Sequence, residues 1–297
     1  MISCKLCGGL GNQLFQIFTT IAYAMRYQKP FFFLNNHQLG NGENGGTIRY
    51  TYWSSFLSDL QPFLKNFNEL PELMFINEKN FKFKYMELPE NFLQSCKNNY
   101  GILLVGYYQS PKYFEKYKTL ICKLLKFNLK KMIVNNRVKL NFNDIYTISM
   151  HFRFGDYKKY PNIYPLLDYS YYKNALSYIL NEIASLRLQK EIVVLYFCED
   201  DSLLESENII GKLQKSFPKI RFQRADNKLE DWEQMILMSL CHHNIIANST
   251  FSWWGAYLNS NMGNIICYPE QWFTPESGKD TSDLFLEDWV PISFISF

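Results

Sequence analysis

The chain has 297 residues, enough for two domains of ordinary size with a core each. Its net charge is only +3, so nothing in the composition calls for a nucleic-acid partner. Seven cysteines without a C-x-x-C pair or a zinc-spaced His/Cys cluster fit reduced thiols, and no apolar run approaches the ~20 residues of a membrane span. The start, Met1 to Cys7, is too short for a signal peptide and runs into glycines, so a soluble cytoplasmic protein is expected, with the Asn248-Ser249-Thr250 sequon unused.

Ile2-Ser3-Cys4-Lys5-Leu6 reads as a first strand, Gly8-Gly9-Leu10-Gly11 as a turn, and Leu14, Phe18, Ile21 and Met25 as one face of a helix. Such a turn lets backbone approach a ligand, and the helix start offers N–H groups to anions. The spacing is not G-x-G-x-x-G and no acid precedes Glu43, which excludes a dinucleotide fingerprint; a G-K-[ST] ending is also missing. Pro30 closes the helix, and Phe31 to Leu34 reads as a second strand. Gly40 to Gly46 is a loop, and Trp53 to Phe92 has no clean period, predicting short helices and irregular segments. Ile102 to Tyr108 predicts a strand, Ser110-Pro111 a helix start, and Tyr113 to Phe127 a helix with a lysine-bearing solvated face. The basic segment Asn128 to Asn143 is the expected domain boundary, giving domains 1–140 and 141–297.

In the second half, Ile145 to Met150 is a β-branched, aromatic run that reads as a buried strand. His151-Phe152-Arg153-Phe154-Gly155-Asp156-Tyr157 follows, at the carboxyl end where open α/β sheets bind ligands. An arginine there suits an anion, because its planar fork matches phosphate oxygens. A helix is expected over Tyr172 to Leu186, and a doubly buried strand over Ile192 to Phe197. Glu199-Asp200-Asp201 could hold a divalent metal or open a helix as caps, and the capping reading is preferred. Ile220 to Phe222 and Ile245 to Ala247 read as strands, Asp231 to Leu240 and Trp253 to Leu258 as helices, with Trp253 and Trp254 in the core. The polar turn Asn248 to Ser252 should converge on the same crevice as Arg153, where the two could hold a diphosphate. Alternation of strand and helix implies a second, mainly parallel sheet.

Three stretches, Gly8 to Gln16, the H-x-R-x-G-D-Y run at His151, and Leu237 to Cys241 continuing through Ala247 to Ala256, occur in an order that resembles the α-1,2-fucosyltransferase family. Gly106-Tyr107-Tyr108-Gln109-Ser110 and Phe197 to Asp201 add lesser echoes, so the likeness spans nearly the whole chain. The resemblance implies an α/β fold of GT-B type, two Rossmann-like domains with the active site in the cleft between them, the first on the acceptor side and the second binding the nucleotide sugar. It implies metal-independent, inverting transfer of L-fucose from GDP-fucose to a galactose-type hydroxyl of a glycan, with no cofactor beyond that co-substrate. Arg153 then matches the arginine on the donor's β-phosphate, His151 lies beside the nucleotide, Ser249, Thr250, Phe251 and Ser252 match the donor-binding turn, and Gly9, Gly11 and Asn12 match the cleft-facing loop. Asp156 is either the base that takes the acceptor proton or the group that orients Arg153.

Two positions depart from the family pattern: Phe154 stands where many members have a second arginine, and Gln234 where they have an aspartate suited to guanine. Two alternatives stay open on that account. One is transfer of another sugar, such as L-rhamnose from a UDP-linked donor; the other is a carbohydrate- or nucleotide-binding protein that has lost the chemistry.

Overall fold

The computed structural model describes residues 1–40, 48–78, 83–88, 100–138, 144–186 and 189–294. They form two compact units, one of Met1–Leu129 with Lys279–Leu286, the other of Lys130–Gly278 with Glu287–Phe297. No helix is long and apolar enough to cross a membrane among the described residues.

In the first unit, strands β1 (Ile2–Cys4), β2 (Leu73–Asn77) and β3 (Gly101–Val105) form a parallel sheet of order β1-β3-β2. Phe31 bridges Ile2 in parallel on the other side of β1, and Phe33–Leu34 pairs in parallel with Leu64–Lys65. β2 carries no alternation strong enough to mark it within the unpatterned Trp53–Phe92 region. Helix α1 (Leu10–Arg26) follows the glycine turn, and fourteen of its seventeen residues are buried. Gln13 and Gln16 donate to the carbonyls of Tyr50 and Gly106 outside the helix, Thr20 to Gln16 O within it, while Phe15 and Phe18 pack on Phe114 at ring distances of 5.9 and 5.4 Å.

The single helix expected over Tyr113 to Phe127 is broken. Ser110 caps as expected, but Pro111–Tyr113 and Glu115–Tyr117 are 3₁₀ turns, followed by α2 (Lys118–Leu124) and α3 (Phe127–Arg137). The cause is burial: Phe114 takes φ −133° and turns its ring into the α1 interface, and Lys126 at φ +49° makes a second break. The segment expected to be a boundary is helical as far as Arg137, and the chain passes from one unit to the other within it, at Leu129–Lys130. Residues 139–143 and the loop expected at Gly40 to Gly46, save Gly40 itself, lie outside the described residues.

The second unit holds β4 (Ile145–His151), β5 (Glu191–Phe197), β6 (Arg221–Arg224), β7 (His243–Ile245), β8 (Ile266–Pro269) and β9 (Val290–Ile292) in the order β6-β5-β4-β7-β8-β9, every pair parallel. Helices α4 (Tyr169–Ile183), α5 (Leu203–Ser216), α6 (Asp231–Leu240) and α7 (Thr250–Tyr257) alternate with the strands. This is the dinucleotide-fold strand order, whose direction of winding reverses between the first strand, β4, and the fourth, β7. Helix α4 begins three residues earlier than its apolar spacing suggests, because the Asp168 carboxylate accepts the Ser170 and Tyr171 N–H groups at 2.9 and 3.3 Å. β7 ends earlier than expected, since Ile246–Ala247 already feeds a turn closed by Ser249 N–H on Ala247 O at 2.7 Å. Trp253 and Trp254 are fully buried against each other, as expected of core residues.

Candidate active site

The two strands that flank the reversal carry the two motifs. β4 ends at His151, so Arg153 emerges at its carboxyl edge; β7 ends at Ile245, so Asn248–Phe251 emerge beside it. The His151 and Phe251 rings lie 5.6 Å apart, and the Tyr157 hydroxyl donates to Asn248 O at 2.9 Å. His151, Arg153, Asp156 and the 248–251 turn therefore form one constellation within the second unit.

Arg153 is held from three sides. Its Nη2 donates to Asp156 Oδ1 at 2.6 Å, its Nη1 to Glu199 Oε1, and its guanidinium lies 5.1 Å from the centre of the Tyr157 ring. Tyr157 is in turn stacked on Tyr164 at 4.0 Å. Burial opposes the arginine's charge, but Glu199, Tyr157 and Asp156 outweigh it and raise its pKa. The Nε of Arg153 and the Nδ1 of His151 are buried without a hydrogen-bond partner in the protein. Buried polar atoms are rarely left so, and here both belong to one cluster. Burial, reinforced by the Arg153 charge, depresses the His151 pKa to about 3, so the imidazole is neutral at neutral pH and can keep one N–H to donate.

Glu199 is the residue the sequence did not single out for this site. It occupies the N-cap position of the 3₁₀ turn Asp200–Ser202, but its side chain caps nothing. The acids of that run go to cations and a hydroxyl instead: Glu199 to Arg153, Asp200 to Arg224 Nη2 at 2.5 Å, and Asp201 to Ser202 Oγ at 2.8 Å. The run opens a helical segment as expected, with Asp200 and Asp201 at the start of the 3₁₀ turn that leads into α5, but the expected side-chain capping is corrected: two of the three acids lie beside arginines and bond them instead. Among the described residues no group of three His, Cys, Asp or Glu side chains is arranged to hold a metal ion. A Cβ added at Gly155 would stand 2.7 Å from Glu199 Oε2, so Glu199 would have to shift, and the Gly155 N–H donates to Ser202 Oγ at 3.0 Å.

The remaining expected residues of this unit divide. Ser249 caps α7, its Oγ accepting Phe251 N–H at 3.4 Å; Thr250 and Phe251 are half-buried in the first turn. Ser252 is fully buried, and its hydroxyl is directed at Ala247 O and Ser249 O, 3.4 and 3.3 Å away. Phe154 packs into the core beside Phe152. Gln234 lies on α6, its Nε2 donating to Leu229 O at 3.1 Å, which leaves Oε1 as an acceptor. Leu229 is one wall of a cavity of about 390 Å³ whose other walls include Leu195, Leu237, Arg137, Gln223 and Asp226.

In the first unit, Gly8, at φ +77°, makes the turn after β1, and a Cβ there would fall 2.4 Å from Asn12 Nδ2. Gly9 is the N-cap of α1, and Gly11, which is buried, and Asn12 lie inside the helix rather than in the loop. Asn12 Oδ1 accepts from Gln109 Nε2 at 2.9 Å, which ties the glycine turn to the turn after β3. Glu78, which nothing in the sequence marked, accepts the N–H groups of Tyr107 and Tyr108 at 2.7 and 3.1 Å; burial raises its pKa.

An α/β unit of dinucleotide-fold order, with a clamped arginine and a polar turn at its reversal point, following a first parallel-sheet unit, is a fold of GT-B type. The sequence profile of glycosyl transferase family 11 matches residues 64–293, and the chain belongs to that family, the α-1,2-fucosyltransferase family. It is 28% identical over 316 aligned positions to the O-antigen biosynthesis glycosyltransferase WbnK of Escherichia coli, covering 98% of this chain and 99% of that one. An alpha-1,2-colitosyltransferase of Escherichia coli is 23% identical over the same shares. Among solved structures, a point mutant of Arabidopsis thaliana FUT1 in complex with GDP superposes with a TM-score of 0.51 at 13% identity, over 93% of this chain and 72% of that one, a likeness of fold.

Proposed function

We propose that the protein transfers L-fucose from GDP-fucose to a galactose-type hydroxyl of a glycan, with inversion at the anomeric carbon and without a metal ion. The observation that carries this reading is the clamped Arg153 at the β4–β7 reversal. When the anomeric C–O bond breaks, negative charge gathers on the departing diphosphate, and a guanidinium already fixed by Glu199, Asp156 and Tyr157 needs no reorganisation to meet it. The unpartnered Nε–H of Arg153, the neutral His151 imidazole and the N–H groups at the start of α7 would complete the anion site. Asp156 then acts as a positioning residue, since its carboxylate is engaged with Nη2.

A second donor reading has its own support. One relative is named a colitosyltransferase, and Gln234 offers guanine one neutral acceptor where a carboxylate would offer a charged pair. Transfer of another deoxyhexose, GDP- or UDP-linked, is therefore the alternative to GDP-fucose. The test is a panel of nucleotide sugars with a galactoside acceptor, read as nucleotide release and product mass, beside thermal unfolding with GDP and UDP. A ligand at ~100 times its dissociation constant should stabilise by about 2.7 kcal/mol. Turnover of GDP-fucose supports the first reading and turnover of another donor alone the second. Stabilisation by nucleotide with no turnover of any donor would identify a binding protein.

A further inference from the structure

The first unit carries a cavity that none of the motifs predicted. It measures about 290 Å³ and is lined by Asn35, His37, Trp53, Ser54, Gln61 and Leu64. Asn35 and His37 directly follow the strand Phe33–Leu34, which runs parallel to Leu64–Lys65 and continues from Phe31, the parallel partner of Ile2 in β1. The cavity therefore lies at the carboxyl ends of the strands, the same edge at which the Gly8–Gly9 turn leaves β1. A direct bond joins the two features: Gln13 Nε2 donates both to Gly8 O and to Tyr50 O, at 3.0 and 2.9 Å, three residues before Trp53.

The chemistry of the lining is specific. No carboxylate, lysine or arginine is among the six residues, so apart from the His37 imidazole the lining offers no permanent countercharge for a phosphate or an ammonium. What it has is a mixture of donors and acceptors. Trp53 is 2% exposed, and its Nε1–H is buried with no acceptor in the protein. Gln61 uses Nε2 on Trp53 O at 2.9 Å and Asn35 uses Nδ2 on Asn66 Oδ1 at 3.2 Å, so each keeps its carbonyl oxygen as an acceptor. Ser54 can act either way. A neutral ligand whose groups both donate and accept satisfies this set, and sugar hydroxyls do both. Drug-sized ligands occupy pockets of roughly 300–1,000 Å³, so this volume suits one ring rather than a nucleotide.

We infer that the Asn35–His37–Trp53–Gln61 cavity binds a neutral hexose of the acceptor glycan, with the Trp53 indole N–H donating to a ring hydroxyl. This rests on the glycosyl-transfer reading for the identity of the ligand as acceptor, while the sugar-binding site itself can be tested without any donor.

Two variants probe it. Trp53→Phe keeps an aromatic ring against Phe33, whose centre is 5.6 Å from the indole, and deletes only the N–H and some area. His37→Ala removes an exposed lining group from a loop. Each should raise the acceptor KM about 3- to 10-fold, as for one lost hydrogen bond, and leave the donor KM and acceptor-free donor hydrolysis unchanged. A merely structural role for Trp53 would instead move both substrates' constants together. Saturation-transfer NMR with methyl β-galactoside and the intact chain, without donor, supplies the independent measurement: the signal should be present in the wild type and reduced in both variants. If no donor is turned over, the glycosyl-transfer reading fails and the NMR result alone decides the cavity. An acceptor KM within twofold of wild type in both variants, no galactoside signal, or a signal indifferent to both substitutions, would overturn the assignment.

Discussion

Removing the Arg153 side chain separates catalysis from stability, and the structure sets the size of each effect. In Arg153→Ala the charge-assisted bonds to Asp156 and Glu199 are lost together with the contact to the Tyr157 ring. The two carboxylates are 40% and 46% exposed, so water resolvates them and each pair contributes only about 0.5–1 kcal/mol to folding. The buried aliphatic stem adds a little more, and the second unit should lose roughly 1–2 kcal/mol, a shift of a few degrees in Tm. Catalysis should fall much further. Loss of a preorganised donor to the developing oxyanion typically costs about 2.7–4 kcal/mol, or roughly 10²–10³ in kcat. Arg153→Lys should resemble Ala in kcat, because a point charge cannot face Asp156 and Glu199 at once and still present a fork to the diphosphate. The assay is steady-state nucleotide release with saturating acceptor, beside circular-dichroism melting of each variant. A folded Arg153→Ala enzyme with kcat within a few-fold of wild type would refute the argument that this arginine carries the leaving group.

Glu199→Gln should keep the fold and lose about tenfold in kcat, with Arg153 less firmly oriented; unchanged kcat across pH 6–9 would show that Asp156 and Tyr157 alone suffice. Excess chelator should leave the rate unaltered, and a loss restored by manganese or magnesium would show a metal requirement. Gln234→Asp should strengthen GDP binding relative to UDP by about 1–3 kcal/mol in calorimetric titration, and an unchanged ratio would remove Gln234 from the base site. Stability should decline in acid through His243, whose Nδ1 accepts Ile265 N–H at 2.8 Å and whose pKa burial lowers to about 4. The folded state favours the neutral ring, so its stabilisation is complete above the unfolded pKa of about 6.5 and is lost as pH falls toward 4, by roughly 3 kcal/mol. Urea titrations at pH 7.5, 5.5 and 4.5 should show the decline, and His243→Asn should remove about half of it, because buried His151, whose pKa is depressed to about 3, contributes the same way over that range.

Much of the second unit was legible because its physics is local. The runs Ile145 to Met150 and Ile192 to Phe197 are long, β-branched and aromatic, as strands covered on both faces must be, and a charged cluster directly after such a run can only emerge at its carboxyl end. Arg153, Asp156 and the Asn248–Phe251 turn could be named for that reason. The sequence order of strands also implied a parallel sheet, but not which strands lie side by side. That β4 and β7 are neighbours, bringing His151 to Phe251 and Tyr157 to Asn248, was decided by the winding of the sheet. Glu199 joined Arg153 across 46 residues because β4 and β5 pair with His151 opposite Phe197, a register no local signal encodes. The break in the expected Tyr113 to Phe127 helix came from the demand of one buried ring, Phe114, against α1, which overrode helical propensity. Glu78 and the Asn35–Trp53–Gln61 cavity stayed hidden for a related reason. Their meaning rests on burial and on which hydrogen bonds are left unmade, and those are fixed only when distant segments pack.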